Sequence, residues 1–300
     1  MKYIKGVSEI IDKYDYFIFD VWGVIHDGSN TYPQAVETFE YLNKIGKKVC
    51  LLSNAPRRAY KVAEILSHFG LSPNLYDFIL TSGESAYLDL HHNQQNNFAN
   101  FGKNYFYIGP QKDIDLLDGL DYTRVEDPSK ANFALTTGFE NENSKICEKL
   151  PLAIQANKFK LPMLCVNPDL IVVKQNGIEM ICAGALALEY QKIGGIVHYY
   201  GKPFPKVYQM VLEKFLMPNK DKIVAIGDGM ETDIKGASDF KIDSILVTGG
   251  ILAKQLGIKF WEVAENEKLN KICNNYNLFP NYIISNLRIW NSIQEKEKAQ

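Results

Sequence analysis

Short apolar runs ending in glycine, asparagine or aspartate alternate along this chain with stretches whose apolar residues recur every three to four positions. Buried-strand patterns alternating with amphipathic helix patterns are the mark of βαβ units and a mostly parallel sheet. The first run, YFIF at 16–19, leads into Asp20 and a tight turn. Pro33 suits the first turn of a helix that places Val36, Phe39 and Leu42 on one face. KVCLLSN at 48–54 reads as the next strand. The segment 57–71 reads as the next helix, with Val62, Ile65, Leu66 and Phe69 inward and Gly70 closing it. A polar stretch at 91–104 is expected to be a surface loop. Strands are expected at 105–109, 132–139 and 161–167, interleaved with helices at 144–158 and 183–193. A helical pattern over 201–215 precedes KIVAIGDG and SILVTGG, two strands that end in glycine, and NYIISNL at 281–287 reads as the last strand. The charged residues 294–300 are expected to fray.

Length turns this pattern into an expectation of two structural units, because 300 residues exceed the usual size of one. With 46% hydrophobic and 23% charged residues and no low-complexity tract, the whole chain has a folded, globular composition. Basic and acidic residues nearly cancel, 33 against 35, and no Lys/Arg-rich run occurs, which argues against nucleic acid or a membrane surface as partner. The five cysteines are scattered and lie mostly in apolar runs, so they read as reduced core thiols. Charged residues run through the N-terminus and no apolar stretch reaches membrane-spanning length, so a soluble, cytoplasmic protein is expected.

Four strand ends carry candidate chemistry: Asp20 after YFIF, Ser53 and Asn54 after VCLL, Lys202 after IVHYYG, and Asp228 with Asp233 after IVAIG. Open parallel sheets gather such positions into one crevice at their carboxyl edge. A carboxylate nucleophile, a hydroxyl, an ammonium and an acid pair can together hold a divalent cation and a phosphoryl group. Each fragment alone has a plain reading: an aspartate at a strand end caps a helix, and the Gly-Lys-Pro around Lys202 makes a turn.

In this order the four motifs resemble those of the haloacid dehalogenase (HAD) superfamily, over roughly residues 14–80 and 198–292. The resemblance implies an α/β, doubly wound parallel-sheet (Rossmann-like) core. Asp20 would be the nucleophile that forms an aspartyl-phosphate, and Ser53 would hydrogen-bond the phosphoryl. Lys202 would neutralise charge. Mg²⁺ would be held by Asp20, the backbone carbonyl of Trp22, Asp228 and Asp233. Only 32 residues separate Asp20 from Ser53, whereas 148 lie between Ser53 and Lys202, so an inserted domain must occupy the second interval. That arrangement resembles the class IIA subfamily of pyridoxal and p-nitrophenyl phosphatases. The expected division is a discontinuous core of 1–80 and 198–300 around an α/β, C2-type cap of 81–197. VNPDLIV at 166–172, the stretch 177–190 and SNAPRR at 53–58 resemble class marks. Asn54, Arg57, Asn167 and Asp169 thereby become candidate substrate contacts, although Asn-Pro-Asp is also ordinary turn chemistry. Gly184 is expected to permit close helix packing. The resemblance further implies a small phosphorylated substrate and allows a homodimer through the cap.

One position departs from the pattern. Most phosphatases of the superfamily carry a second aspartate two residues after the nucleophile, as acid for the leaving oxygen and then base for water; here that residue is Trp22. Indole N–H neither supplies nor takes a proton at neutral pH. The ionisable neighbours in sequence are His26 and Asp27, which serve either as a relocated acid/base or as a capped turn. Three readings follow: a Mg²⁺-dependent phosphatase with a relocated acid/base, a phospho-ligand-binding relative with little or no turnover, and a carbon–halogen hydrolase. The last expects a cap between the first two motifs and no acid pair.

Overall fold

A computed structural model of the chain describes residues 1–92, 102–173, 178–259 and 261–290. Most of the 91–104 stretch and the tail 294–300 therefore lie outside the described residues. The strands in chain order are β1 (Lys2–Tyr3), β2 (Tyr16–Phe19), β3 (Lys48–Ser53), β4 (Phe78–Thr81), β5 (Asn104–Ile108), β6 (Thr123–Val125), β7 (Phe133–Thr136), β8 (Met163–Cys165), β9 (Ile171–Val173), β10 (Glu179–Ile181), β11 (Val197–Tyr199), β12 (Ile223–Gly227), β13 (Asp243–Val247) and β14 (Tyr282–Ile284). The helices are α1 (Ala35–Lys44), α2 (Ala59–His68), α3 (Ser82–His91), α4 (Ile146–Lys158), α5 (Ala183–Lys192), α6 (Pro205–Lys214), α7 (Lys235–Phe240), α8 (Ala253–Leu256) and α9 (Asn266–Tyr276).

Two parallel sheets result. A seven-stranded sheet runs β1-β14-β13-β12-β2-β3-β4, and a five-stranded sheet built wholly from the 104–199 interval runs β11-β8-β7-β5-β6. The central strands of the larger sheet are buried along their length, and alternate residues enter opposite layers, as the strand period requires. Phe17 and Phe19 join Phe39, Leu42, Val62 and Leu66 of α1 and α2. Ile18, between them, joins Val207, Tyr208 and Val211 of α6 and Phe240 of α7 on the other face. The smaller sheet is sandwiched in the same way, with α4 and α5 covering one side. An antiparallel hairpin of β9 and β10 stands apart from both sheets.

The structure alters several local expectations. α1 begins at Ala35, behind a left-handed Gln34, two residues after Pro33. Val36, Ile65 and Phe69 are half-buried rather than fully buried, with Val36 packed against the rim of the core cluster. Four cysteines are buried and free, but Cys147 in the first turn of α4 is exposed, so it is no core thiol. Among the described residues, no helix is long and apolar enough to cross a membrane.

Candidate active site

β2 and β12 are the neighbours at which strand order reverses in the large sheet, the topological switch point where such sheets open a crevice. Their register pairs Phe19 with Ile226, and the Asp20 N–H donates to the Ile226 carbonyl at 2.8 Å. Asp20 and Asp228 therefore leave adjacent strands side by side. Gly23 makes the approach possible: its φ is +81°, and a Cβ there would sit 2.0 Å from Asp228 Oδ2. Asp233 comes from the single helical turn Met230–Ile234 that follows.

Carboxylate oxygens of Asp20, Asp228 and Asp233 lie within 4.8 Å of one another. Lys202 Nζ enters the group from the loop after β11 and donates to Asp20 Oδ1 at 2.6 Å and to Asp233 Oδ1 at 2.7 Å. One ammonium against three carboxylates leaves excess negative charge in a poorly hydrated place. Burial, then Asp233, raises Asp20 well above the ordinary carboxylate range, with Lys202 opposing. Burial, then Asp233, also raises Asp228, to about 7, although the Ile251 N–H donates to it. Burial lowers the affinity of Lys202 for its proton, but Asp20 and Asp233 outweigh that and hold its pKa above the ordinary value. Crowded all-oxygen donors with unneutralised charge fit a hard divalent cation of the Mg²⁺ type. The Asp20 side chain keeps 11% of its surface open, the face available to an incoming group.

Ser53 ends β3 beside this cluster, and its Oγ accepts the Ala55 N–H at 3.2 Å, which leaves the hydroxyl proton to donate elsewhere. Asn54 has no such freedom. Its Oδ1 accepts from the Lys202 N–H at 2.7 Å and from Ser82 Oγ, and its Nδ2 donates to the Lys202 carbonyl and to Asp169 Oδ1 at 2.7 Å. The side chain named as a substrate contact thus orients other groups. Arg57 lines the cavity with its Nε 2.7 Å from Asp113 Oδ1. Asn167 Oδ1 accepts the Asp169 N–H, which makes 167–169 an Asx-type turn and presents Asp169.

A cavity of about 990 Å³ joins these parts, with Asp20, Ser53, Lys202 and Asp228 on one wall and residues of 112–199 on the other. The hairpin β9–β10 lines it with Ile171, Val172, Val173, Met180 and Ile181. Sequence reasoning missed this hairpin; the Asn-Gly dipeptide at 176–177 between two short apolar runs was the available signal.

Two family models match in succession. A haloacid dehalogenase-like hydrolase model covers residues 17–123, and a HAD-hydrolase-like model covers 199–287. The chain is 25% identical over 290 residues to the chloroplastic phosphoglycolate phosphatase 1A of Arabidopsis thaliana, covering 88% of this chain and 75% of that one. It is 24% identical to the 4-nitrophenylphosphatase of Schizosaccharomyces pombe, covering 82% and 88%. A solved haloacid dehalogenase-like hydrolase from Brucella suis 1330 superposes with a TM-score of 0.79 at 29% identity, over 95% of this chain and 99% of that one. The chain is a haloacid dehalogenase-like hydrolase.

For a HAD-like hydrolase, the surroundings of Trp22 are the point of interest. Its indole lies over Gly28, edge-on to His26 with ring centroids 5.4 Å apart, and its Nε1–H donates to the Val173 carbonyl of β9 at 2.9 Å. The residue after the nucleophile loop is thereby tied to the hairpin roof. Neither His26 nor Asp27 lines the cavity. Asp27 Oδ1 accepts the N–H groups of Ser29 and Asn30. His26 Nδ1 accepts the Gly28 N–H, and burial lowers its pKa to about 4, so it stays neutral. Both side chains hold the turn together, the plainer of the two roles open to them.

Proposed function

We propose that the chain is a Mg²⁺-dependent phosphatase that hydrolyses a small phosphorylated molecule through an aspartyl-phosphate on Asp20. The observation that supports this most is the buried convergence of Asp20, Lys202, Asp228 and Asp233 at the switch point. The named phosphatase activities of the relatives point the same way. Asp20, Asp228, Asp233 and the Trp22 carbonyl would hold Mg²⁺, which would draw charge from the phosphoryl oxygens as they near the carboxylate.

The protein groups divide the remaining work. Asp20 attacks phosphorus with its open oxygen, Lys202 stabilises the negative charge gathered there, and the Ser53 hydroxyl donates to a phosphoryl oxygen. The apolar hairpin and Phe139, Leu188 and Phe204 enclose the part of the molecule that departs, keeping competing water away. The carbon–halogen reading fits poorly, because residues 21–52 hold only α1 and most of β3 and leave no room for a cap. As the test, purified chain with Mg²⁺ should release phosphate from p-nitrophenyl phosphate, and Asp20→Asn or chelation should abolish it. Equal rates in wild type and Asp20→Asn would instead support a phospho-ligand-binding protein; halide release from haloacetate would support the third reading.

A further inference from the structure

Trp22 removes the proton-carrying group that HAD phosphatases place two residues after the nucleophile, and the nearby His26 and Asp27 are turned into the flap. Any substitute must reach the leaving oxygen. In-line displacement puts that oxygen on the side of phosphorus opposite Asp20, towards the roof of the cavity. Apart from the three carboxylates of the cation site, the carboxylates lining the cavity are Asp113, Asp169, Glu179 and Glu231. Asp113 is buried in its pair with Arg57, and Glu179 is paired with Lys254 at the surface. Glu231 is exposed in the turn after Asp228, on the core side.

Asp169 differs from these. It belongs to the roof, yet it is tied to the floor by Asn54, which follows the phosphoryl-binding Ser53 and also holds the backbone of Lys202. Its Oδ1 is used by Asn54. Its Oδ2 has no hydrogen-bond partner among the described residues, and the half-buried Asp169 lines the cavity. The loop that carries it is rigidly seated: the Gly184 N–H donates to the Asp169 carbonyl, and a Cβ on Gly184 would lie 2.2 Å from the Pro168 carbonyl oxygen. Gly184 lets α5 press against this turn.

Resting on the phosphatase reading, we propose that Asp169, held by Asn54 at the cap side of the cavity, is the general acid and base that replaces the missing second aspartate. In the first half-reaction Asp20 Oδ bonds to phosphorus, the bond from phosphorus to the leaving oxygen breaks, and the proton on Asp169 Oδ2 passes to that oxygen, releasing an alcohol. In the second, ionised Asp169 takes a proton from water as the water oxygen bonds to phosphorus. The phosphorus–Asp20 bond then breaks, inorganic phosphate departs, and Asp169 is again protonated. Burial raises the Asp169 pKa to about 6, against the opposing hydrogen bond from Asn54, a value suited to giving and taking a proton near neutrality.

Leaving-group dependence tests this. Asp169→Asn keeps an oxygen for Asn54 but has no proton to cycle, so with Mg²⁺ it should lose about 10²–10³-fold in kcat/KM on phenyl phosphate, whose leaving group needs protonation. On p-nitrophenyl phosphate, whose leaving group departs as an anion, it should lose less than about tenfold in kcat/KM, which reports the first half-reaction, while kcat falls because the second half-reaction lacks its base. Asp169→Glu should restore part of the difference, and a retained burst of p-nitrophenol, one per active site, shows that the variant is folded and still transfers the phosphoryl group to Asp20. Equal losses on both esters, or the selective loss appearing in Glu231→Gln instead, would overturn the assignment while leaving the phosphatase reading intact. A wild-type chain inert towards p-nitrophenyl phosphate would remove the phosphatase reading and this inference together.

Discussion

The two walls of the cavity are built on opposite principles. The floor is polar, buried and over-determined: Lys202 bridges two carboxylates, and Asn54 uses both ends of its amide to place Lys202. The roof, as the hairpin β9–β10, is apolar and only half-buried, and it meets the core through the Trp22–Val173 hydrogen bond and the Lys254–Glu179 pair. A low-dielectric floor makes each charge strongly dependent on its neighbours, whereas a roof held by few contacts can be displaced at little cost. On the proposed function, the chemistry would fall to the buried wall and contact with the departing part of the substrate to the apolar one, with Asp169 at their seam.

Substitutions should separate the walls. The largest effect is expected for Lys202→Met, which leaves three carboxylates without their cation and should lower folding stability by about 3–5 kcal/mol, read by denaturant or thermal unfolding. Mg²⁺ should recover part of that loss; a variant as stable as wild type without metal would mean that the floor is less tightly coupled than its geometry indicates.

Next comes the flap between the walls. His26 titrates near 6.5 when unfolded and about 4 when folded, so the folded state binds fewer protons. Stability is therefore complete above pH 6.5 and falls as the pH drops towards 4, by up to about 3 kcal/mol from this residue. His26→Gln, which can still accept the Gly28 N–H, should flatten the acid limb of a stability–pH curve. An unchanged limb would show that the ring is solvated in solution.

Trp22→Phe removes one neutral hydrogen bond, a loss of about 1 kcal/mol. Because it acts on the roof, it should raise amide exchange at 171–173 and raise KM more than it lowers kcat. A fall in kcat alone would place the indole in the chemistry. Trp22→Asp sharpens the point: faster phenyl phosphate hydrolysis means that the ring merely displaced an acid, and a dead enzyme means that the ring shapes the pocket. The smallest effect is expected for Lys254→Gln, since an ion pair as exposed as Lys254–Glu179 contributes about 0.5 kcal/mol or less; a KM change beyond twofold or so would make that pair a true latch.

Most of the floor was legible in the sequence. Asp20 and Asp228 follow the strands of residues 16–19 and 223–227 and Ser53 ends the strand of 48–53, and neighbouring parallel strands deliver such ends to one edge. Lys202 follows the strand of 197–199, which belongs to the other sheet, so its arrival at that edge was not a matter of strand order. The roof was not. β9 and β10 have three residues each, too few for a period to emerge, and the 177–190 stretch reads equally as one helix. Asn54 was a candidate substrate contact because sequence shows which groups a side chain carries but not which partners have already taken them.

Sequence by itself therefore determined the fold class, the four strand-end motifs and the absence of an acid beside the nucleophile, since each is a matter of local pattern and of residue identity. Only the tertiary structure decided that Trp22 reaches a carbonyl 151 residues away and that Asn54 reaches a carboxylate 115 residues away. Such contacts depend on how two separately formed sheets pack across a shared cavity, and no local spacing encodes the direction of a side chain across that gap.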